Sequence, residues 1–119
     1  MHADQFESRL ARVRHRFATT LEGKITNAVV TADHMSCGVD GVMHVSKSYR
    51  SLHGICGIGP TVGFTATGEA AQVAEAALIQ AYRESRGLTQ TEVLSLKKAL
   101  ERLRVAAELE LRLMYQRGG

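Results

Sequence analysis

At 119 residues with 45% hydrophobic content, one proline and no tryptophan, the chain is sized and composed as one folded domain over 1–119, which excludes a disordered chain and leaves no room for a second catalytic module. Fifteen basic against twelve acidic residues give a net charge of +3 with no basic tail, a balance that suits an acidic protein partner as well as nucleic acid. No run approaches the roughly 20 apolar residues of a membrane span and "MHADQFESRL" has no signal-peptide core, so a cytoplasmic protein with reduced Cys37 and Cys56 is expected.

Apolar residues Phe6, Leu10, Val13, Phe17, Leu21, Ile25 and Ala28/Val29 recur at steps of three and four, the stripe of one helix face. They predict one long helix, or two nearly collinear ones, from about Asp4 to about Ala32. Thr19, Thr20 and Gly23 weaken its middle, because β-branched residues and glycine are poorer helix formers, and they mark where the helix would kink or break if it is not one long one. "SCGVDG", Ser36 to Gly41, reads as a loop with Asp40 as candidate N-cap. The second helix should turn Val42, Val45, Tyr49, Leu52 and Cys56 inward, leaving His53 on a water-facing side with Ser46, Arg50 and Gly57. Pro60 and its neighbouring glycines end that helix near Gly59.

Beyond Phe64, Thr65 or Thr67 is expected to cap a third helix in which Ala70, Ala71, Ala74, Ala77 and Ala81 alternate with Val73, Leu78 and Tyr82. It should stop at "RESRG", with Gly87 in the left-handed position. Thr89 and Glu92 of "TQTE" have capping-box spacing, opening a last helix with Val93, Leu96, Leu100, Leu103, Ala107, Leu111 and Met114 on one face. No repeat, low-complexity tract or linker intervenes. The predicted fold is all-α, an antiparallel four-helix bundle.

The stretch Leu52 to Phe64, "LHGICGIGPTVGF", sets one histidine before four glycines and a proline. A phosphate-cradling loop would need a preceding strand and a Lys-Ser/Thr ending, and neither is present. A zinc site has more to recommend it, since "HMSC" (His34, Cys37) and "HGIC" (His53, Cys56) repeat one spacing and four such ligands suit tetrahedral zinc. Against it, helical phasing sends Cys56 inward and His53 outward, and a free cysteine is commonly a small buried hydrophobe. His2, His15, His34 and His44 otherwise read as ordinary surface or boundary residues.

In the third reading His53 stays exposed because a partner comes to meet it. The stretch resembles the signature of histidine-containing phosphotransfer (Hpt) domains, in which the phosphorylated histidine is followed by glycine at plus four and by glycine and an apolar or aromatic residue at plus ten and eleven. Here those positions are Gly57, Gly63 and Phe64. A second register, with Arg50 of "RSLHG" in the phosphoacceptor's place, puts Pro60 at plus ten and leaves Gly63 and Phe64 unexplained. The resemblance extends over most of the chain and implies an Hpt-like bundle. Glu75 falls where family members often carry a glutamate in the helix after the motif. One departure is Cys56, where many members have a lysine that holds the phosphoryl group by charge; Arg50, three residues before His53, is the candidate substitute.

The chemistry fits such a domain. Histidine's ordinary pKa of about 6.5 leaves a ring nitrogen available as nucleophile near neutrality. Phosphoryl transfer is chiefly positioning and charge neutralisation, and the resemblance implies that the partner receiver domain supplies the carboxylates and Mg2+. Glycine at position 57, one turn past His53, leaves space for the phosphoryl group and the partner, and Lys47 and Arg50 would meet the receiver's acidic pocket. The expected function is a phosphocarrier in a two-component phosphorelay, a phosphohistidine intermediate without an ATP-binding kinase domain or a cofactor or metal of its own. Its expected partners are receiver domains of response regulators and hybrid sensor histidine kinases, with no nucleic acid or membrane. A helical module that binds a response regulator or another protein without transfer is the rival reading, and the zinc protein the third.

Overall fold

Four α-helices, α1 His2–Thr31, α2 Gly38–Ile58, α3 Thr65–Arg83 and α4 Gln90–Gln116, make up most of the chain. The computed structural model describes residues 2–36 and 38–117, and no strand occurs among them. Short 3-10 turns, Ala32–His34 and Gly59–Val62, close α1 and α2. Each helix contributes its apolar stripe to one core: Phe17, Leu21 and Ile25 from α1, Val45, Leu52 and Ile55 from α2, Ala71, Ala74 and Leu78 from α3, and Leu96, Leu100, Leu103 and Leu111 from α4. Among the described residues no helix is long and apolar enough to cross a membrane.

Helix α1 runs unbroken through Thr19–Gly23, the single long helix of the two alternatives. Thr19 and Thr20 turn their hydroxyls back onto the Arg16 carbonyl at 3.0 and 3.1 Å. Phe17, Leu21 and Ile25 anchor the same turns in the core, and packing of this kind outweighs a few tenths of a kcal/mol of propensity. The stripe itself outruns its partners. Arg14 sits beside Met114 and Arg117 at the end of α4, so the earlier turns pass beyond that helix and leave Phe6 and Val13 exposed.

Asp40 lies inside the first turn of α2 rather than capping it, where its charge suits the positive end of the helix dipole. The buried arc of α2 also differs from the predicted stripe. Gly41, Ser48 and Ile55 join Val45 and Leu52 inside, while Val42, Tyr49 and Cys56 are only half-buried. Helices pack against α2 from two sides, so the inward arc is wider than one stripe and its centre is rotated away from Tyr49.

The reversal between α2 and α3 rests on Gly63, which adopts φ 92°, a left-handed conformation that side chains disfavour. Its neighbour Phe64 donates its N–H to the Gly59 carbonyl at 2.8 Å and buries its ring against Phe17, with centroids 5.1 Å apart. Helix α3 then runs back along α2. Neither Thr65 nor Thr67 caps it: Thr65 is its first residue and Thr67 is fully buried within it. The cap comes from α4, where the Glu110 carboxylate accepts the Thr67 N–H at 2.7 Å, the Thr67 hydroxyl at 2.6 Å and the Ala66 N–H at 3.3 Å.

At the far end of α3 the left-handed residue is Ser85, with φ 51°, and not Gly87. Glycine at 87 answers a different need, since a Cβ there would lie 2.6 Å from the Met35 carbonyl oxygen. The Thr89–Glu92 capping box forms at the head of α4 with both reciprocal hydrogen bonds, 2.8 and 3.1 Å. Leu96, Leu100, Leu103, Ala107, Leu111 and Met114 follow it into the core, with Val93 partly buried at the edge.

Candidate functional site

Pairing of α2 with α3 places a small polar cluster on the surface of the molecule. His53, four turns into α2, has a side chain 69% exposed, and its Nδ1 lies 2.8 Å from Oε1 of Glu75 on α3, whose side chain is only 13% exposed. A carboxylate can only accept, so this pairing assigns the proton to Nδ1, which donates to Glu75. In the neutral ring the lone pair then belongs to Nε2, the nitrogen that Glu75 does not engage.

Tyr49, one turn before His53, stacks on the imidazole with centroids 5.8 Å apart and planes 13° apart. Tyr49 also stacks on Tyr82 of α3 at 4.1 Å and 16°. The Tyr49 phenol is raised above its ordinary pKa by partial burial first and then by the charge of Glu75. Cys56 is half-buried at the other edge of the cluster; burial first, and then the charge of Glu75, push its thiol up as well. It is therefore a neutral thiol at neutral pH, and supplies no cation beside His53. Among the described residues Cys56 is a free cysteine.

Arg50 is exposed, three residues before His53, and borders a groove with Tyr82 and Arg83 of α3. On its other side Arg50 joins Lys47, Met43 and Asn27 along a groove between α1 and α2. Lys47 lies a further turn from His53, and it borders the α1 groove rather than the cluster around the imidazole. Gly57 is exposed, and a Cβ built on it meets no atom within 4 Å. Gly63 and Phe64 do not touch the cluster; they shape the turn that brings Glu75 opposite His53.

The histidines of the two His-x-x-Cys pairs do not converge. His34 has its ring 6.3 Å from that of His44, which precedes His53 by about 13 Å of helix rise. Cys37 and the side chain of His2 lie outside the described residues. Among the described residues no group of three or more His, Cys, Asp or Glu is placed to hold a metal ion.

Sequence reasoning assigned Tyr49 to the core and gave no site role to Glu75, Tyr82 or Arg83. Two signals were available. Tyr49 and His53 are four apart on one helix and so share a face, and Glu75 and Tyr82 are seven apart on another, two turns on one face. The missing step was the register between α2 and α3. No protein-family model, no curated protein and no solved structure matches the chain.

Proposed function

We propose that the protein is a phosphocarrier of a two-component phosphorelay, an Hpt-like antiparallel four-helix bundle that accepts a phosphoryl group at His53 and passes it on. One observation carries the reading: an exposed imidazole whose Nδ1 is held at 2.8 Å by a nearly buried carboxylate, so that Nε2 is the nucleophile. In the accepting step the Nε2 lone pair attacks the phosphorus of a receiver's aspartyl phosphate. An N–P bond forms, the P–O bond to the aspartate breaks, and the carboxylate leaves with the bond pair. The phosphorylated ring keeps its Nδ1 proton and is cationic, and the Glu75 carboxylate offsets that charge. Donation to the next receiver is the same step reversed, with Mg2+ held by the receiver's own acidic pocket. Arg50 stands closest along α2 as a cation for the phosphoryl oxygens.

A second reading, a module that binds a response regulator or another protein without transfer, draws on Val39 and Met43. They are 78% and 64% exposed and share the α2 face of Arg50 and His53, at steps of three and four.

The test mixes the protein with phosphorylated receiver domains and Mg2+ and assays acid-labile phosphate on wild type and on His53→Ala. Label on wild type that disappears in the variant is the expected result. Binding that survives His53→Ala, with no label on wild type across a broad receiver panel, would replace the phosphocarrier by the binding module.

A further inference from the structure

Tyr49 is held against α3 through its ring. Tyr82 stacks on it at 4.1 Å, and the charge of the Glu75 carboxylate reaches its phenol. That same carboxylate accepts from His53 Nδ1 at 2.8 Å, while the imidazole lies nearly parallel to the Tyr49 ring, 13° between planes. His53 is therefore held twice, by the Glu75 carboxylate at Nδ1 and by the Tyr49 ring against its plane, and Tyr49 is in turn stacked on Tyr82. An imidazole this exposed would otherwise rotate about its side-chain torsions and lose the Nδ1 contact to water.

We infer that Tyr49 is a positioning residue for His53: its ring fixes the imidazole plane, so that Nδ1 keeps its proton on the Glu75 carboxylate and the Nε2 lone pair stays directed at a phosphoryl donor. This rests on the phosphocarrier reading, because only a reacting imidazole needs one nitrogen kept free. Stability alone does not require the arrangement, since an exposed histidine needs no partner. Tyr82 acts one step further out, as the surface against which Tyr49 is held.

Two variants separate the parts. Tyr49→Phe keeps the stack and removes only the hydroxyl; Tyr49→Leu removes the stack. Two readouts need no protein partner. Long-range 1H–15N NMR of His53 reports which ring nitrogen carries the proton. Phosphoramidate reports Nε2 reactivity: the lone pair attacks phosphorus, the P–N bond of the reagent breaks and ammonia leaves. Wild type should show the Nδ1–H form. Tyr49→Leu should shift the 15N pattern toward a mixture and slow phosphorylation about three- to tenfold, the worth of the hydrogen bond at Nδ1, while Tyr49→Phe should stay close to wild type, with helical content by circular dichroism unchanged in both. Wild-type 15N pattern and rate in both variants would overturn the positioning role. Failure of receivers to label wild type, with the 15N pattern still changed by Tyr49→Leu, would sink the phosphocarrier and leave the hold of Tyr49 on the imidazole standing.

Discussion

Gly57 has nothing within 4 Å of the position its Cβ would occupy, whereas Gly59 would press on the Phe64 carbonyl at 3.1 Å and Gly68 on the Pro60 ring at 2.7 Å. Packing therefore accounts for the last two and not for the first, and a glycine in a helix costs about 1 kcal/mol relative to alanine. If the space above Gly57 serves the approach of a partner to His53, Gly57→Leu should leave the helical spectrum intact, hold or raise stability by up to about 1 kcal/mol, and cut transfer from receiver domains more than about tenfold. Unaltered transfer would return Gly57 to an ordinary helix position. The neutral Cys56 thiol makes a related case for Arg50, the exposed cation one turn before His53. Arg50→Ala should shorten the phosphohistidine lifetime or slow transfer by about two- to fivefold, the range of an exposed charge interaction; if neither changes, Arg50 is only a surface charge.

The start of α4 shows how one helix end is fixed by its own sequence. Thr89 and Glu92 exchange hydrogen bonds across the first turn, and Arg86 adds a two-pronged contact to the same carboxylate at 2.7 and 3.1 Å. Arg86 chiefly, with the Thr89 bonds, lowers the Glu92 carboxyl from its ordinary 4.5 to about 2. A carboxylate with a depressed folded-state pKa contributes stability that is complete above the unfolded value and is lost as pH falls through the folded one. Glu92→Gln should thus lower stability by about 1 kcal/mol at pH 7, and the gap between variant and wild type should close between about pH 4.5 and pH 2. Urea midpoints across that range test it. A gap that stays constant would show that the charge of Glu92 is not its source.

At the scale of the whole molecule, the contact that ties α4 to α3 is the Glu110 carboxylate on the first turn of α3, 43 residues away from Thr67 in the chain. It satisfies helix N–H groups that no local side chain reaches, since α3 has no side-chain cap of its own. Removing it strands the Thr67 hydroxyl in a fully buried position. Glu110→Ala should therefore cost about 1–3 kcal/mol, seen as a lower urea midpoint at unchanged slope, and Glu110→Gln, which keeps an acceptor, should cost less. A change below about 0.5 kcal/mol in Glu110→Ala would mean that water caps α3 equally well. The same packing decides the site, because α3 can present Glu75 to His53 only in the register that the Gly63 reversal and this cap hold in place.

The sequence by itself determined that the elements are helices and which faces they bury in α4 and in the second half of α1, because those features repeat locally at the helical period and the Thr89–Glu92 box closes within one turn. It also isolated His53, since phasing along a single helix is enough to leave a residue outside. Only the tertiary structure decided the continuity of α1 through Thr19–Gly23, the cap of α3, the role of Gly87 and the cluster of Tyr49, Glu75 and Tyr82 around the imidazole. Each depends on what a second helix brings to the first. The reach of a Glu110 carboxylate, the space beside the Met35 carbonyl and the register of α2 against α3 are properties of pairs of helices far apart in the chain, and the periodicity of one strand of sequence carries no term for them.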